Sequence, residues 1–255
     1  MSVDYSKYLK VCKDASETDH GFDGFKSNPD YRVVLEHVSV EQGQQYLNEI
    51  KKDVPKILDN VPKFITNDSV GNPMTHYYPD IKNFTSPTTL RYVKVLTDLI
   101  KLFGTLDGLD IVEIGVGYGG QCKIINDVFK PKSYTLIDMP EVLELSMKYL
   151  NHFKVEHTIP QTSEYMGVIG MDYDLCISNY AFTEIDRKYQ DMYAGNIIKN
   201  SKMGYITCNF LGQRYADGAM TQDEIFALRP DYTVLQEKPQ TAPNNLIYTW
   251  NLKGK

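Results

Sequence analysis

The chain has 255 residues, of which 42% are hydrophobic and 24% charged, a composition typical of a globular protein of one or two domains. Its formal net charge of −6 at pH 7 argues against binding of nucleic acid through phosphates, because that mode needs an excess of Lys and Arg. No stretch approaches the roughly 20 apolar residues that span a bilayer, and the N-terminus has no apolar signal segment. We therefore expect a cytoplasmic protein with neither a nucleic-acid nor a membrane partner.

The first part of the chain, residues 1–85, mixes helix-like segments with a turn-rich tract. Residues 32–58 contain helix-like pieces, whereas residues 67–87 show no long apolar period. This part is predicted to be mainly helical. The four cysteines are isolated from one another, with neither a C-x-x-C pair nor a His at zinc spacing, so we expect free, mostly buried thiols.

From residue 86 onward, strand-like and helix-like segments alternate. The segment 87–104 has the apolar spacing of an amphipathic helix, with Pro87 near its start and Gly104 at its end. The predicted strands that follow are DIVEIG (110–115), SYTLID (133–138), VEHTIP (155–160), DLCISN (174–179) and GYITCNF (204–210). The predicted helices between them are 120–129, 139–153 and 187–201, with a weaker helical pattern over 161–173. This alternation predicts a doubly wound α/β fold with a mostly parallel sheet covered on both faces.

The C-terminal part departs from this alternation. A helix is predicted over 221–228, followed by strands YTVLQE (232–237) and NNLIYTW (244–250) joined by a turn-rich connection. Such a hairpin would place one antiparallel strand in the otherwise parallel sheet.

The segment VEIGVGYGG (112–120) carries the sequence's main functional motif. Gly115, Gly117 and Gly120 match G-x-G-x-x-G between a predicted strand and a predicted helix, the setting of a nucleotide-cofactor loop. Asp138 ends the next strand, where a carboxylate can accept hydrogen bonds from the hydroxyls of an adenosine ribose. Together they indicate an adenosine-containing cofactor; the alternative is a tight turn and a helix-capping Asp.

Two cofactors suit this loop, NAD and S-adenosylmethionine. NAD would place a pyrophosphate at the helix N-terminus, whereas S-adenosylmethionine brings an ammonium that needs acceptors. Glu113 would supply a negative charge that favours the ammonium and repels a pyrophosphate, unless it is merely a capped, solvated acid. The terminal hairpin also favours the methyltransferase sheet over the all-parallel dinucleotide fold.

Ligands of doubly wound sheets bind at the carboxyl ends of the strands, so the residues after each strand are candidates. Around the cofactor we expect Gly115, Gly117, Tyr118 and Gly119 after the first strand, and Asp138 and Met139 at the second. After the third strand Thr162 and Ser163 lie where they would reach the adenine edge, although a plain loop explains them equally well. The fourth strand ends at Asn179 and Tyr180, with Glu184 and Asp186 just beyond.

Six segments together resemble the sugar O-methyltransferase family of the class I S-adenosylmethionine-dependent methyltransferases. They are TLRYVKVLTDL (89–99), VEIGVGYGGQCKIINDVF (112–129), YTLIDMPEVLELSMKYL (134–150), YDLCISNYAFTEIDR (173–187), NSKMGYITCNF (200–210) and TAPNNLIYTW (241–250). The resemblance covers about residues 85–252, and SNYAFTE and T-x-x-N-N are its specific parts. It implies a Rossmann-like, seven-stranded sheet with the last strand antiparallel, and methyl transfer to a hydroxyl of a sugar or sugar conjugate.

The resemblance also implies roles for individual residues. Asn179 and Tyr180 would lie beside the transferring methyl group, and Arg91 would bind the methionine carboxylate, unless it is a surface arginine. Such proteins often self-associate, so the resemblance is compatible with a homo-oligomer. The domain organisation that we predict is an N-terminal helical lid (1–85) and a cofactor-binding domain (86–255).

Transfer to a hydroxyl also needs removal of its proton, by a general base or with the help of a divalent metal ion. The candidates for the base are Glu184, Asp186, His76 and His37, with Glu184 preferred. A metal site is not favoured, because Glu184 and Asp186 are two residues apart and would not both face one ion. The alternatives are that Glu184 caps a helix or pairs with Arg91, and that His76 is structural.

The residues predicted to contact the acceptor are Tyr77, Tyr180, Glu184, Arg214 and Asn245. Tyrosine suits the mixed apolar and polar surface of a sugar, but a tyrosine-rich core would explain Tyr77 equally well, and turn chemistry would explain Asn245. Three other functions stay open: a small-molecule O- or N-methyltransferase, an NAD-dependent oxidoreductase and a catalytically silent binding module.

Overall fold

The structure is a computed structural model that describes residues 5–162, 172–210 and 218–252. The chain divides into two compact units. The first comprises Met1–Lys101, Gly117–Phe129 and Pro140–Glu156, and the second comprises Leu102–Val116, Lys130–Met139 and His157–Lys255. None of the helices in the described ranges combines the length and the apolar character that crossing a membrane requires. The predicted division into a lid and a cofactor domain at residues 85 and 86 stays a prediction.

The first unit is mainly helical. Its helices are α1 (Tyr5–Glu17), α2 (Asp19–Gly24), α3 (Pro29–Arg32), α4 (Val40–Asp53), α5 (Val61–Phe64), most of α6 (Pro87–Phe103), α7 (Gly120–Asn126) and α8 (Pro140–His152). Short 3-10 segments cover Phe25–Ser27, Pro55–Asn60 and Ile65–Ser69. The turn-rich tract contains a small antiparallel hairpin of β1 (His76–Tyr78) and β2 (Asn83–Thr85).

Local sequence signals account for the limits of the two long helices α4 and α6. Helix α4 begins after Ser39, whose hydroxyl accepts from the Gln42 backbone N–H while the Gln42 side chain accepts from the Ser39 N–H. Helix α6 starts at Pro87 as predicted, and Gly104, with φ +88°, follows its last residue in the left-handed conformation that glycine favours.

A buried lysine lies among the aromatic side chains of the first unit. Lys26 has no exposed surface, and its Nζ donates to the Asn67 carbonyl over 2.6 Å. The ammonium also lies 4.2 Å from the ring centre of Tyr118 and 5.1 Å from that of Tyr149. Desolvation lowers the pKa of Lys26 to about 8, so the aromatic rings and the carbonyl only partly replace water around the charge.

The second unit contains a seven-stranded sheet. Its strands are β3 (Asp110–Ile114), β4 (Ser133–Asp138), β5 (Thr158–Thr162), β6 (Tyr173–Asn179), β7 (Ser201–Cys208), β8 (Tyr232–Gln236) and β9 (Leu246–Trp250). They are arranged in the order β5-β4-β3-β6-β7-β9-β8. Strand β9, the last along the chain, pairs antiparallel with both β7 and β8, whereas the pairs formed by β3 to β7 are parallel, which confirms the predicted fold.

The strand order reverses between β3 and β6, and this reversal defines the switch point of a doubly wound sheet. The inner strand β3 is buried over most of its length, whereas the edge strand β5 contains Pro160, a residue that strands tolerate mainly at a sheet edge. Strand β5 begins three residues later than predicted. His157, with φ +60°, has a left-handed backbone that an extended strand does not allow. Part of the weak helical pattern over 161–173 lies outside the described residues.

Three short helices of the second unit pack on the sheet. They are α9 (Ala181–Glu184), α10 (Arg187–Tyr193) and α11 (Gln222–Phe226). Their apolar side chains, including Phe182 and Ile225, share a core with Cys176 and Ile206 of the strands. The helix predicted over 187–201 is shorter than expected. After α10 the chain widens into a π-helical segment, Ala194–Ile198, and β7 already begins at Ser201.

Candidate cofactor and acceptor site

Four neighbouring parallel strands of the second unit end at one edge of the sheet, and sequence analysis placed candidates at each end. Strand β3 ends at Ile114, β4 at Asp138, β5 at Thr162 and β6 at Asn179. Asp138 and Thr162 are directly paired in the register of β4 and β5. Asp138 Oδ1 accepts from the Met139 backbone N–H over 2.8 Å. The predicted ribose and adenine contacts are therefore adjacent in the sheet.

The glycines after β3 adopt conformations that other residues rarely allow. Gly115 has φ +79°, and a Cβ at this position would overlap the Cβ of Ala181. Gly117 has φ +54°, and its Cβ would lie 2.7 Å from Leu35 Cδ1. Gly119, with φ +88°, is the N-cap of α7. Backbone conformation and close approach both require glycine in this turn, which supports a loop built for backbone contacts.

Glu113 differs from its predicted setting. Its carboxyl is buried and accepts from Tyr134 Oη over 2.8 Å and from Asn179 Nδ2 over 3.5 Å. Desolvation raises the pKa of Glu113 to about 8, with a smaller contribution from Asp138 and opposition from the two donors. Such a carboxyl is mostly protonated at neutral pH. The negative charge of Glu113 is therefore a weaker reason to prefer S-adenosylmethionine over NAD than the sequence suggested. Glu113 as a cofactor ligand stays a prediction.

Asn179 retains a hydrogen-bonding group that the described residues leave unused. Its Nδ2 faces Glu113, but Oδ1 is buried without a hydrogen-bond partner among the described residues. An acceptor of this kind at the end of β6 is suited to an N–H or O–H donor of a ligand.

Tyr180 follows Asn179 and has an unusual backbone, with φ +70° and ψ −36°. Non-glycine residues in such regions are strained and often occur at functional sites. Its hydroxyl donates to the buried carboxylate of Glu237, and Glu237 also accepts from the Thr241 backbone N–H over 2.8 Å. Thr241 Oγ1 in turn accepts from Asn245 Nδ2 over 3.0 Å. The structure therefore joins Tyr180 and Asn245, two predicted acceptor contacts, through one network.

Glu237 and Thr241 complete this network, and neither was among the residues predicted from the sequence. The motif T-x-x-N-N begins at Thr241 and so offered a sequence signal for it, whereas Glu237 is simply the last residue of the predicted strand 232–237. Asn245 is almost fully buried, and its Oδ1 has no hydrogen-bond partner among the described residues. Like Asn179, it presents an acceptor that a ligand could use.

Two of the predicted candidates for the general base, the preferred Glu184 and Asp186, lie beyond Tyr180. Glu184, the last residue of α9, is partly buried, and its Oε1 accepts from Asn209 Nδ2 over 2.8 Å. Asp186 is exposed at the N-cap of α10, where its side chain makes no capping hydrogen bond. The structure therefore holds Glu184 in place but leaves Asp186 in solvent. Their roles as bases stay predictions.

Other predicted residues lie in the first unit. Arg91 donates to the Leu35 carbonyl over 3.3 Å, so part of its guanidinium is already engaged. Tyr118 is fully buried, and its hydroxyl accepts from Asn67 Nδ2, so only its backbone could contact a ligand. Tyr77 is 52% exposed and packs against Phe84.

His76 begins β1 and lines a cavity of the first unit. Ser163 and Arg214 lie outside the described residues. In the ranges that the structure covers, no three His, Cys, Asp or Glu side chains come together in a group that could hold a metal ion.

The sheet order, the glycine turn and the antiparallel last strand together define a Rossmann-like fold of the class I methyltransferase kind. Comparison with solved structures supports this assignment. The N-methyltransferase NodS from Bradyrhizobium japonicum WM9, in complex with S-adenosyl-L-homocysteine, matches with a TM-score of 0.50 at 15% sequence identity. The match covers 65% of this chain and 86% of that chain. At this identity the likeness is one of fold.

Two further structures match less closely. One is Thermoplasma acidophilum 1320, with a TM-score of 0.45 and 14% identity over 66% of this chain and 91% of that chain. The other is phosphoethanolamine N-methyltransferase 2 from Haemonchus contortus in complex with S-adenosyl-L-methionine, with a TM-score of 0.46 and 16% identity. This match covers 56% of this chain and 38% of that chain. No protein-family model and no curated protein matches the sequence.

Proposed function

We propose that this protein is an S-adenosylmethionine-dependent O-methyltransferase that acts on a hydroxyl of a sugar or sugar conjugate. The observation that carries the proposal is the arrangement of the sheet and of the residues at the carboxyl ends of its parallel strands. A glycine turn follows β3, an acid ends the neighbouring β4, and the last strand, β9, is antiparallel. The antiparallel strand disfavours the all-parallel dinucleotide-binding fold and hence the oxidoreductase. NodS, which shares the fold, was solved with S-adenosyl-L-homocysteine.

The residues at this edge fit S-adenosylmethionine. Asp138 offers carboxylate oxygens for ribose hydroxyls, and the buried Oδ1 of Asn179 offers an acceptor for the ammonium of the amino-acid end. The positive-φ glycines leave the backbone of the turn free of side chains. When bound, the cofactor would supply a methyl group that its positively charged sulfur already activates.

The sugar acceptor rests on the resemblance of SNYAFTE and T-x-x-N-N. In the structure, Tyr180 from the first motif and Thr241 and Asn245 from the second belong to one hydrogen-bonded network. A network of hydroxyl, amide and carboxylate groups is suited to a hydroxyl-rich acceptor. NodS is an N-methyltransferase, so an amine acceptor is the second candidate.

Calorimetric titration with S-adenosylmethionine, S-adenosylhomocysteine and NAD tests the cofactor. We expect the first two to bind and NAD to give no heat, both before and after treatment of the protein with EDTA. Binding of NAD alone would favour the oxidoreductase, and binding of none of the three would favour the catalytically silent module.

The Asp138→Ala variant tests the ribose contact. We expect it to weaken binding of S-adenosylhomocysteine by about 1–3 kcal/mol, because hydrogen bonds to a charged acceptor are lost. Asp110→Ala is the matched control, since Asp110 begins β3 at the other end of the same sheet. Equal affinities of the two variants would remove Asp138 from the site.

A further inference from the structure

The first unit contains a cavity of about 300 Å³ that is lined entirely by residues of that unit. Its wall comes from the end of α3, the segment that follows it and the start of α4, from Met74 and β1, and from the start of α6. The polar lining residues that matter here are Arg32, Glu36, His37, His76, Ser86 and Thr88. The volume matches the lower end of the range for small-molecule sites.

Glu36 is the group in this wall whose hydrogen bonding is incomplete. Its Oε2 accepts from Ser86 Oγ over 3.3 Å, and a hydrogen bond from the Thr88 side chain also acts on the carboxyl and lowers its pKa. Its Oε1 is buried and has no hydrogen-bond partner among the described residues. Burial is also the main cause that raises the pKa of Glu36. A buried carboxylate oxygen without a donor is costly, and a bound hydroxyl would supply the missing hydrogen bond.

The charges around Glu36 are balanced. The positive Lys26 and Arg91 and the negative Asp68 all act electrostatically on its carboxyl. Arg32 and Glu41 in the cavity wall add one charge of each sign. A cationic ligand would therefore meet little net electrostatic attraction in this cavity. A neutral ligand would have a smaller desolvation cost than a cationic one.

His37, Ser86 and Thr88 in the cavity wall have acceptor capacity for a ligand. Burial and the nearby Arg91 lower the pKa of His37 to about 4, so its ring is neutral at physiological pH. The His37 ring donates to the Val34 backbone, and the hydroxyls of Ser86 and Thr88 donate to Glu36 and to the Leu35 carbonyl, so each of the three keeps acceptor capacity for a ligand. Several acceptors around one unpaired carboxyl oxygen suit the hydroxyl donors of a polyol.

The segment that contributes Glu36 to the cavity wall also packs next to Gly117 of the same unit. Leu35, the residue before Glu36, is the side chain that a Cβ at Gly117 would meet at 2.7 Å. The Leu35 carbonyl also accepts from Arg91 and, over 3.5 Å, from Thr88 Oγ1. The segment that carries Glu36 is therefore held against the turn predicted to bind the cofactor.

We propose that this cavity binds a neutral polyhydroxy compound, with Glu36 Oε1 accepting a hydrogen bond from one of its hydroxyls. That this compound is the methyl acceptor rests on the function proposed above. The binding itself does not depend on that function, because it follows from the cavity wall alone.

Saturation-transfer difference NMR on the full-length protein tests the proposal. The probes are methyl glucopyranoside, methyl mannopyranoside and myo-inositol, with choline and ethanolamine as cationic comparisons. We expect transfer to at least one polyol and not to the cations. Glu36→Leu should weaken polyol binding by about tenfold or more, because it removes the unpaired acceptor. Glu17→Leu, which changes an exposed acid of α1 outside the cavity wall, should leave the affinity within about twofold.

Three results would overturn the proposal: no transfer to any polyol, preferential transfer to the cations, or equal affinities of the two variants. Circular dichroism and the melting temperature show whether Glu36→Leu folds. If it does not, Glu36→Gln takes its place, with a smaller loss of affinity expected. Calorimetry with S-adenosylhomocysteine separates the two proposals. Polyol binding without cofactor binding would support the cavity and reject the methyltransferase, and the reverse result would reject the cavity alone.

Discussion

Gly115 shows at the scale of one residue why the turn after β3 contains glycine. Its φ of +79° lies in a region that side chains with a Cβ disfavour, and Ala181 occupies the space where that Cβ would be. The first effect is typically about 1–2 kcal/mol, and a clash in a packed region adds about 1–3 kcal/mol. Conformation and packing thus act together at this position.

We expect Gly115→Ala to lower the free energy of unfolding by about 3 kcal/mol or more. Gly108→Ala is the matched control, since Gly108 has a φ of +73° and no described atom near its would-be Cβ. It should lose only the conformational part, about 1 kcal/mol. Urea unfolding of both variants measures the difference, and similar losses would show that Ala181 moves aside.

Glu113 makes stability depend on pH in a direction opposite to that of most acids. Its folded pKa of about 8 exceeds the ordinary value of 4.5, so the folded protein holds a proton that the unfolded chain releases between these values. Stability is therefore highest below the ordinary pKa and falls as pH rises towards 8. Tyr134, Asn179, Asp138 and Cys176 are the groups that act on this carboxyl or respond to it.

We expect Glu113→Gln to remove this dependence, because the amide is neutral at every pH and can still accept from Tyr134. Relative to the wild type, the variant should gain on the order of 3 kcal/mol in unfolding free energy between about pH 5 and about pH 8. Urea unfolding at the two pH values measures the gain. A constant difference between the two proteins would show that Glu113 keeps an ordinary pKa.

At the scale of elements, the connection between β8 and β9 fixes the turn that leads from β6 into α9. Glu237 and Thr241 belong to that connection, and Tyr180 is the N-cap residue of α9. The hydroxyl of Tyr180 meets a buried carboxylate, and such charge-assisted hydrogen bonds are stronger than neutral ones. The strained backbone at Tyr180 is thus held by a contact between residues far apart in the sequence.

A double-mutant cycle of Tyr180→Phe and Glu237→Gln measures this contact. We expect a coupling energy of about 1.5–3 kcal/mol in urea unfolding. The cycle of Tyr180→Phe with Glu224→Gln is the control, because Glu224 pairs with Arg187 at the surface and should not couple to Tyr180. Equal coupling in the two cycles would mean that the hydroxyl contact does not stabilise the turn.

At this scale, the sequence predicts the features that depend on local patterns and misses those that depend on tertiary contacts. Strands β3, β4 and β6 follow from local apolar runs, and the glycine turn follows from a contiguous motif. The partnership of Tyr180 with Glu237 and the burial of Glu113 depend on tertiary packing, which no local pattern encodes. Helix α10 ends early for the same reason, since Ile197 and Ile198 pack in the sheet core.

At the scale of the whole molecule, the chain passes repeatedly between the two units. Segments 117–129 and 140–156 belong to the first unit but lie in the sequence between β3, β4 and β5 of the second. Neither unit is therefore a continuous stretch of chain that could be cut out intact. Unfolding of one removes the ordered connections of the other, so we expect the two units to unfold together.

The four cysteines report on this expectation because all are buried and none forms a disulfide, with Cys12 and Cys122 in the first unit and Cys176 and Cys208 in the second. Burial raises the pKa of Cys176 and of Cys208, which suppresses their thiolates further. We expect no rapid reaction with a disulfide reagent in the folded protein. In increasing urea, all four should become labelled with one midpoint, measured for each cysteine by peptide mass spectrometry. Separate midpoints for Cys122 and Cys176 would show that the units unfold independently despite their interleaved connections.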